Sequence, residues 1–571
     1  MPRSPHAAPG PSVATGLDPV TARLVAIWQE TLGQPDLDQS SRFSDTGADS
    51  LGAIRLRARM RREFGRGLSV QQIFAASSIG DLARTIRLQE GEAKQSDGLT
   101  ETPSADGAEL RWRTGVLVEH EYLRLARGEA QPQFLMDRSY RLRGPVDGAA
   151  LEEAINRVAA RHPVLRARFS VVGDEVHQEV VPGLRITLAR PCPEGPDPVA
   201  WATEWAAAEI RRPFALGEAP LLRLALMTVG HDDHVLVCTI DHLIGDESSL
   251  QVIMAELSAL YLAVTSGVPA ALDPAPSYAT WARRQRELIT GAAGARILRY
   301  WRSALPIRAA DLNMRLPGFS DDTGHRSADA GVIELEIDES GMRRLRDLAA
   351  DLDVTLYTCL FAHLLLLVVQ ETGSHRATVM TNTANRNDEA AAGVVGMLTQ
   401  SAFVSADVSA AVGFRDLARS VGLTVSGLLD HNEMPFLEVR KALWPDARDY
   451  ARFRREHRAY FALYQPVHSV LALPATTVDV LLVGSHQPDR PGFEWWVAQR
   501  GTHLVIQVVY PVRNFRAEYA RLLASRFRAL LVATEPDLDA LVTALHRDRA
   551  PAPGPAPVRG CRSPAQEHQE D

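Results

Sequence analysis

The stretch TIDHLIGDESSL (239–250) holds four side chains able to move a proton or hold charge: Asp241, His242, Asp246 and Glu247. They follow directly on the apolar run HVLVC. An imidazole that titrates near neutral pH can act as a base or as a hydrogen-bond partner, and the carboxylates beside it can steer it. The same residues also suit a structural purpose, because a histidine after a buried strand is commonly a satisfied core residue. A metal site would need further His or Cys ligands at close spacing, and none stands nearby. On an extended chain consecutive residues point to opposite faces, so Asp241 and His242 meet one cavity together only if the backbone bends. A second hydroxyl of interest is Ser50 in DTGADSLGAIRL, at a loop-to-helix junction behind Asp49. Both residues cap helices well, so by chemistry alone Ser50 reads equally as a cap.

The elements that must position these groups fall into two modules. A chain of 571 residues is too long for one hydrophobic core. Its formal charge of −8 leaves no basic footprint for nucleic acid. Cys192, Cys238, Cys359 and Cys561 are far apart and lack metal or disulfide spacing, which suits inert thiols in a reducing cytoplasm. The N-terminus has no signal-peptide pattern, and the longest apolar run, CLFAHLLLLVVQ (359–370), is short and interrupted by a His, so no membrane span is expected. Residues 1–16, the linker 89–109 and the Pro-rich tail 549–571 read as unstructured. Between them lie a helical module at 17–88 and a larger α/β module at 110–548. In the first, Asp18 is an N-cap, Pro19 the first helical residue and Gly33 the stop. Val20, Leu24, Ile27 and Trp28 share a face, and Leu51, Ile54 and Ala58 share one on the next helix. Short SVQQIF and SIGDLARTIRL complete about four helices. In the second module, VIELEID (332–338) alternates as a half-buried strand, HVLVCTI and HLVIQVVY read as strands covered on both faces, and YARLLASRFRALLVAT (519–534) has helical spacing.

With these motifs in view, residues 18–88 resemble the peptidyl carrier (thiolation) domains of nonribosomal peptide synthetases. The family motif Gly-Gly-(Asp or His)-Ser-Leu falls on Gly47, Ala48, Asp49, Ser50 and Leu51, with Ala for the second Gly. The resemblance implies that Ser50 carries a covalent phosphopantetheine arm. The larger module resembles the condensation domains of the same synthetases. RHPVLRARF (161–169), SYATWARRQRE (277–287), YWRSAL (300–305), VVGMLTQ (394–400), HNEMPFLEV (431–439) and VVYPVRNF (508–515) match its motifs in order. The first motif is lost in RTGVLVEHEYL (113–123). The active-site motif His-His-x-x-x-Asp-Gly falls on Asp241 to Glu247, so the second His (His242) and the Asp (Asp246) are kept, the first His is Asp241 and the Gly is Glu247.

The resemblance implies a small four-helix carrier bundle followed by an α/β condensation domain of two chloramphenicol-acetyltransferase-like lobes, about 110–285 and 286–548, with a tunnel between them. His242 and Asp246 are the expected active-site residues, His242 facing the tunnel. Asp246 would pair with an Arg of the second lobe, for which Arg386 is the candidate, and Asp241 and Glu247 would support the site. The implied activity is amide formation: the acyl group on Ser50 is condensed with an amine at His242. A rival remains, because Asp241, Asp246 and Ser249 also satisfy the Asp-x-x-x-x-Asp-x-x-Ser signature of heterocyclisation domains, and Thr399 and Asn385–Arg386 resemble theirs. Met397 and Leu398 depart from that pattern. A third reading is a non-catalytic docking platform, if Glu247 fills the acceptor's space. If Glu247 instead selects, a cationic acceptor is expected. The implied partners are a phosphopantetheinyl transferase, a separate adenylation protein that loads Ser50, and a downstream acceptor carrier domain, in a free-standing cytoplasmic didomain.

Overall fold

The computed structural model describes residues 17–46, 50–65, 68–88, 110–126, 134–305, 316–320, 330–445, 458–464, 470–481 and 492–547. The segments expected to be unstructured lie outside the described residues, as do Gly47, Ala48, Asp49 and Cys561.

The carrier helices form where capping and apolar spacing place them. Helix α1 (Pro19–Leu32) starts with Asp18 accepting from the Thr21 N–H at 3.1 Å and stops at Gly33, whose φ of 66° is the left-handed conformation that glycine adopts without strain. It buries Leu24, Ile27 and Trp28. Helix α2 (Ser50–Phe64) buries Ala53, Ile54, Leu56 and Met60, a wider stripe than the expected one, with Ala58 only half-buried. Ser69 and Gln72 form a capping box at the start of α3 (Val70–Ala75), and α4 (Ile79–Leu88) buries Ile79, Leu82, Ala83 and Ile86. Trp28 meets Phe43 edge-on at 5.9 Å in the middle of this core.

The first lobe comprises β1 (Arg111–Arg113), α5 (Val116–Ala126), β2 (Leu135–Arg143), α6 (Gly148–Arg161), β3 (Ala167–Val172), β4 (Glu175–Val180), β5 (Leu188–Ala189), α7 (Pro198–Glu209), β6 (Leu222–Gly230), β7 (Asp233–Asp241), α8 (Glu247–Ser266) and α9 (Tyr278–Thr290), followed by α10 (Ala292–Ala304), whose Ile297 and Trp301 pack in the core of the second lobe. Its central strand β7 runs antiparallel between β2 and β6. Leu236, Cys238 and Ile240 pack in the same core as Leu250, Ile253 and Met254 of α8, while Val235 and Val237 pack with Ala202 and Ala206 of α7. Both faces are covered, which is why HVLVCTI is apolar at almost every position rather than alternating. Burial pushes the Cys238 thiol up to about 12. By length and composition α8 is apolar enough to cross a membrane; here much of it is core against α6.

The second lobe comprises β8 (Ala330–Ile337), α11 (Glu339–Asp351), α12 (Leu356–Thr372), β9 (Arg376–Thr383), α13 (Glu389–Ala392), β10 (Gln400–Asp407), α14 (Phe414–Asp430), α15 (Phe436–Leu443), β11 (Arg458–Tyr464), β12 (Thr477–Val480), β13 (Gly492–Arg500), β14 (His503–Pro511), α16 (Ala517–Val532) and α17 (Glu535–Arg547). Its sheet runs β10-β9-β11-β13-β14-β8, with β11 parallel to β9 and β13. The edge strand β8 alternates in exposure, as VIELEID requires. The long apolar run is α12, buried nearly all round. Its His363 is wholly buried, with Nδ1 at 2.8 Å from the Cys359 carbonyl and its ring against Phe414, and desolvation pushes it down to about 4. One strand crosses back: β12, from residues placed in the second lobe by sequence, pairs antiparallel with β2 and covers the edge of the first lobe's sheet.

Candidate active site at the lobe junction

Strand β7 delivers the site and ends at a bend. The His242 N–H donates to the Phe134 carbonyl at 2.9 Å, and residues 242–244 tighten into a 3-10 turn before α8 begins. The bend sorts the two neighbours by environment. Asp241 is 1% exposed and turns back on the chain, where its Oδ1 accepts from the Leu243 N–H at 2.9 Å. Burial pushes its carboxyl up to about 7, against the smaller pull of that N–H and of Arg223, and its Oδ2 has no hydrogen-bond partner. His242 is half-buried, with the Phe134 ring 4.8 Å away. Its Nδ1 lies 2.7 Å from the Gly245 carbonyl. A carbonyl only accepts, so Nδ1 carries the hydrogen and the basic nitrogen of the neutral ring is Nε2. A Cβ on Gly245 would fall 2.7 Å from the tip of the Ile240 side chain, so a larger residue there requires that side chain to shift.

Asp246 is occupied differently. Its Oδ1 caps α8 through the Ser249 N–H (2.9 Å), lies 2.8 Å from the Ser249 hydroxyl and accepts from Arg386 Nη2 at 2.6 Å. Its Oδ2 accepts from the Leu398 N–H (3.1 Å) and from the Thr399 N–H and hydroxyl (both 3.0 Å). Arg386, the candidate partner, is thus in place from the second lobe, with side-chain exposures of 4% for the arginine and 1% for the aspartate. Burial alone would push the Asp246 carboxyl up; the Arg386 charge and the Ser249 bonds outweigh it and hold the group below its ordinary range. Both oxygens are committed to protein donors, so Asp246 positions the loop and offers nothing to a substrate. This is the pairing with an arginine of the second lobe that the resemblance implies.

Glu247, the other departure from the family motif, forms an ion pair with Arg138 of β2. Arg138 also donates to the Asp137 carbonyl at 2.8 Å. The guanidinium is largely buried and needs a counter-charge, and the Glu247 carboxylate supplies it. The expectation that Glu247 draws a cationic acceptor does not hold for a carboxylate already neutralised in this way.

Other motif residues make contacts within the first lobe or across the junction. Arg161 Nε (2.8 Å) and His162 Nε2 (3.1 Å) both reach Glu256 of α8. The Ser249 hydroxyl lies 2.9 Å from the Gly396 carbonyl and accepts from the Gly396 N–H at 3.1 Å. A side chain on Gly396 would run into the Tyr278 ring of α9. Where the first motif is lost, Arg286 holds the Thr114 carbonyl (2.6 Å) and Glu119 (2.5 Å) instead. Sequence reasoning named Ser249 only within the heterocyclisation signature and missed Phe134 and Arg138, which lie on β2 or just ahead of it and are brought to the loop by strand pairing.

The family model described as Condensation domain matches residues 126–450, and that described as Phosphopantetheine attachment site matches residues 22–86. The chain belongs to the condensation-domain family. It is a nonribosomal peptide synthetase carrier domain followed by a condensation domain, and the family is one of acyltransferase-type, amide-forming enzymes. It is 30% identical over 494 residues to phosphinothricin tripeptide synthetase PhsB of Streptomyces viridochromogenes, covering 84% of this chain and 38% of that one. It is 26% identical over 532 residues to tyrocidine synthase 2 of Brevibacillus parabrevis, covering 90% and 14%. The chain therefore spans well under half the length of these relatives. Among solved structures, the X-domain from teicoplanin biosynthesis superposes with a TM-score of 0.63 at 22% identity, covering 76% of this chain and 97% of that one. The first condensation domain of the calcium-dependent antibiotic synthetase, with a substrate analogue bound, gives 0.63 at 16%, covering 76% and 99%. These likenesses show the two-lobed chloramphenicol-acetyltransferase-like fold.

The carrier domain takes a covalent phosphopantetheine. The backbone fits that group at Ser50, which opens the 15-residue helix α2. The first-turn N–H groups of a helix lack carbonyl partners within it, and they favour a phosphate placed there.

Proposed function

We propose that this chain joins a donor acyl group held on Ser50 to an amine acceptor, forming an amide at His242. The observation that carries the reading is the tautomer fixed by the Gly245 carbonyl, which leaves Nε2 as the basic nitrogen on a half-buried ring beside the lobe junction. The phosphopantetheine at Ser50 supplies, when bound, a thiol that holds the acyl group as a thioester. The acceptor nitrogen forms the new C–N bond as the C–S bond breaks, and Nε2 of His242 holds the proton that the nitrogen sheds before it passes to the departing sulfur. The clamp on Asp246 keeps the loop at the place where this happens, and much of the rate gain comes from that positioning. The domains extend over 17–88 and 110–548, with lobes dividing near 285. The partners are a phosphopantetheinyl transferase, a separate adenylation protein that loads Ser50 and a downstream acceptor carrier, all in the cytoplasm. Nonribosomal synthesis of an antibiotic-like peptide fits the relatives' names.

A second reading is favoured by one observation. The Arg138–Glu247 pair adds two bulky side chains beside the site where the family has a glycine at the second position, and a filled site would leave a docking platform. The X-domain of teicoplanin biosynthesis is described in complex with OxyB, a partner protein. Heterocyclisation is less well supported, because Asp246, Ser249 and Thr399 are spent on one another.

Intact-mass spectrometry separates the three. With Ser50 pantetheinylated and acylated, an acceptor carrier that gains the full donor mass in wild type and gains none with His242→Ala establishes condensation. Gain followed by loss of one water, on Cys, Ser or Thr acceptors alone, indicates heterocyclisation. No gain with wild type, restored by Glu247→Gly, indicates the platform.

A further inference from the structure

The carrier domain does not stand apart from the second lobe. Its helix α3 packs on α14 and its helix α2 on α13. The polar centre of this contact is Asp430, the last residue of α14. Its Oδ1 accepts from Arg57 Nη1 of α2 at 2.9 Å and from the Val70 N–H at the start of α3 at 2.8 Å, and its Oδ2 from the Gln71 N–H at 3.4 Å. Arg57 also reaches the Leu429 carbonyl at 3.4 Å.

Asp430 is poorly placed for its own helix. A carboxylate at the C-terminal end of a 17-residue helix faces the negative end of the macrodipole, where a cation is preferred. Among the described residues its hydrogen bonds come instead from the carrier, which brings a guanidinium and two first-turn N–H groups of α3. The next residue holds the end of α14 rigid. His431 stacks on Tyr300 at 4.0 Å, and its carbonyl accepts from the Trp301 indole at 3.1 Å. The neighbouring α13 leads to the site, because the Ala391 carbonyl accepts from Arg386 Nη1 at 3.3 Å, and Arg386 is the arginine of the Asp246 clamp.

We infer that the C-terminal end of α14, centred on Asp430, is a built seat for this chain's own carrier domain, and that docking through Arg57 and α3 is the pose from which Ser50 presents its acyl group. The inference rests on the condensation reading for its last clause and on geometry alone for the first. With side-chain exposures of 13% on each partner, the Arg57–Asp430 pair is partly solvated and salt-sensitive, as a contact that must also release its carrier requires.

The test uses the full chain with Ser50 pantetheinylated. Small-angle X-ray scattering reads the seat itself. Asp430→Arg is expected to enlarge the radius of gyration at low salt, and adding Arg57→Asp to recover part of the compaction. Single-turnover kinetics reads its use. Asp430→Arg is expected to slow transfer from Ser50 by tenfold or more while leaving transfer from the same acyl group supplied as a soluble pantetheine thioester within twofold. Scattering unchanged by Asp430→Arg overturns the seat. A rate lowered equally for both donors overturns its role in presentation. Altered scattering in a chain that transfers from neither donor keeps the seat and removes the condensation reading.

Discussion

The two junctions of this protein use the same chemistry, an arginine on an aspartate, to opposite ends. Between the lobes, Asp246 and Arg386 are 1% and 4% exposed and Asp246 accepts from donors on both of its oxygens. Between carrier and lobe, Asp430 and Arg57 are each 13% exposed. A buried pair with every lone pair satisfied cannot open without leaving a desolvated charge, so it is permanent. A pair that keeps some contact with water loses less when it opens, so the Arg57–Asp430 contact is the more readily reversible of the two. Burial, rather than the residue types, makes one a clamp and the other a latch.

The sharpest way to break that contrast is to remove Arg386. Arg386→Ala leaves the Asp246 carboxylate buried without its counter-charge, and a loss of about 3–5 kcal/mol in denaturant unfolding is expected, together with loss of condensation. A loss below about 1 kcal/mol would place this pair with the surface pairs and remove the distinction.

Asp241 tests whether burial without a bonded counter-charge behaves as the reverse case. Its folded pKa, about 7, lies above its ordinary value, so the native state holds the proton to higher pH than the unfolded chain does. Stability from this group is full below about pH 4 and declines as pH rises to about 7. Asp241→Asn should remove that decline and raise stability at pH 8 by on the order of 2–4 kcal/mol, given about 1.4 kcal/mol per pKa unit. Parallel pH profiles for variant and wild type would refute the assignment.

Gly396 probes the packing that holds the clamp shut. Gly396→Ala has no room against Tyr278 and should cost about 1–3 kcal/mol through overpacking. Recovery of stability by Tyr278→Ala in the same chain would tie the loss to that ring, and a double variant no better than the single would point elsewhere.

The smallest effect belongs to the latch. Asp430→Ala should change global stability by no more than about 1 kcal/mol, with the difference shrinking as salt is raised. A cost above 3 kcal/mol, insensitive to salt, would make the carrier seat a second clamp.

The carrier helices were legible because their signals are local: an Asp-Pro start, a Gly stop and a stripe at helical spacing are complete within one segment. Strand β7 was legible for a related reason, since cover on both faces leaves its mark at each position. In the larger module the ordered motifs pointed to the fold, and the Asn-Arg pair at 385–386 pointed to the arginine that meets Asp246. What Glu247 and Asp246 do was not legible. A carboxylate reads the same whether its oxygens face a substrate or six protein donors.

The sequence by itself determined the helix limits, the two modules and the residue types available at the site. Tertiary structure alone decided which charges cancel. Asp246 finds Arg386 across 140 residues, Glu247 finds Arg138 across 109 and Arg57 finds Asp430 across 373. Propensity and capping act within a few residues of chain, whereas the energy of a charge depends on its distance to the opposite charge and on the water left between them, and only the folded arrangement fixes those.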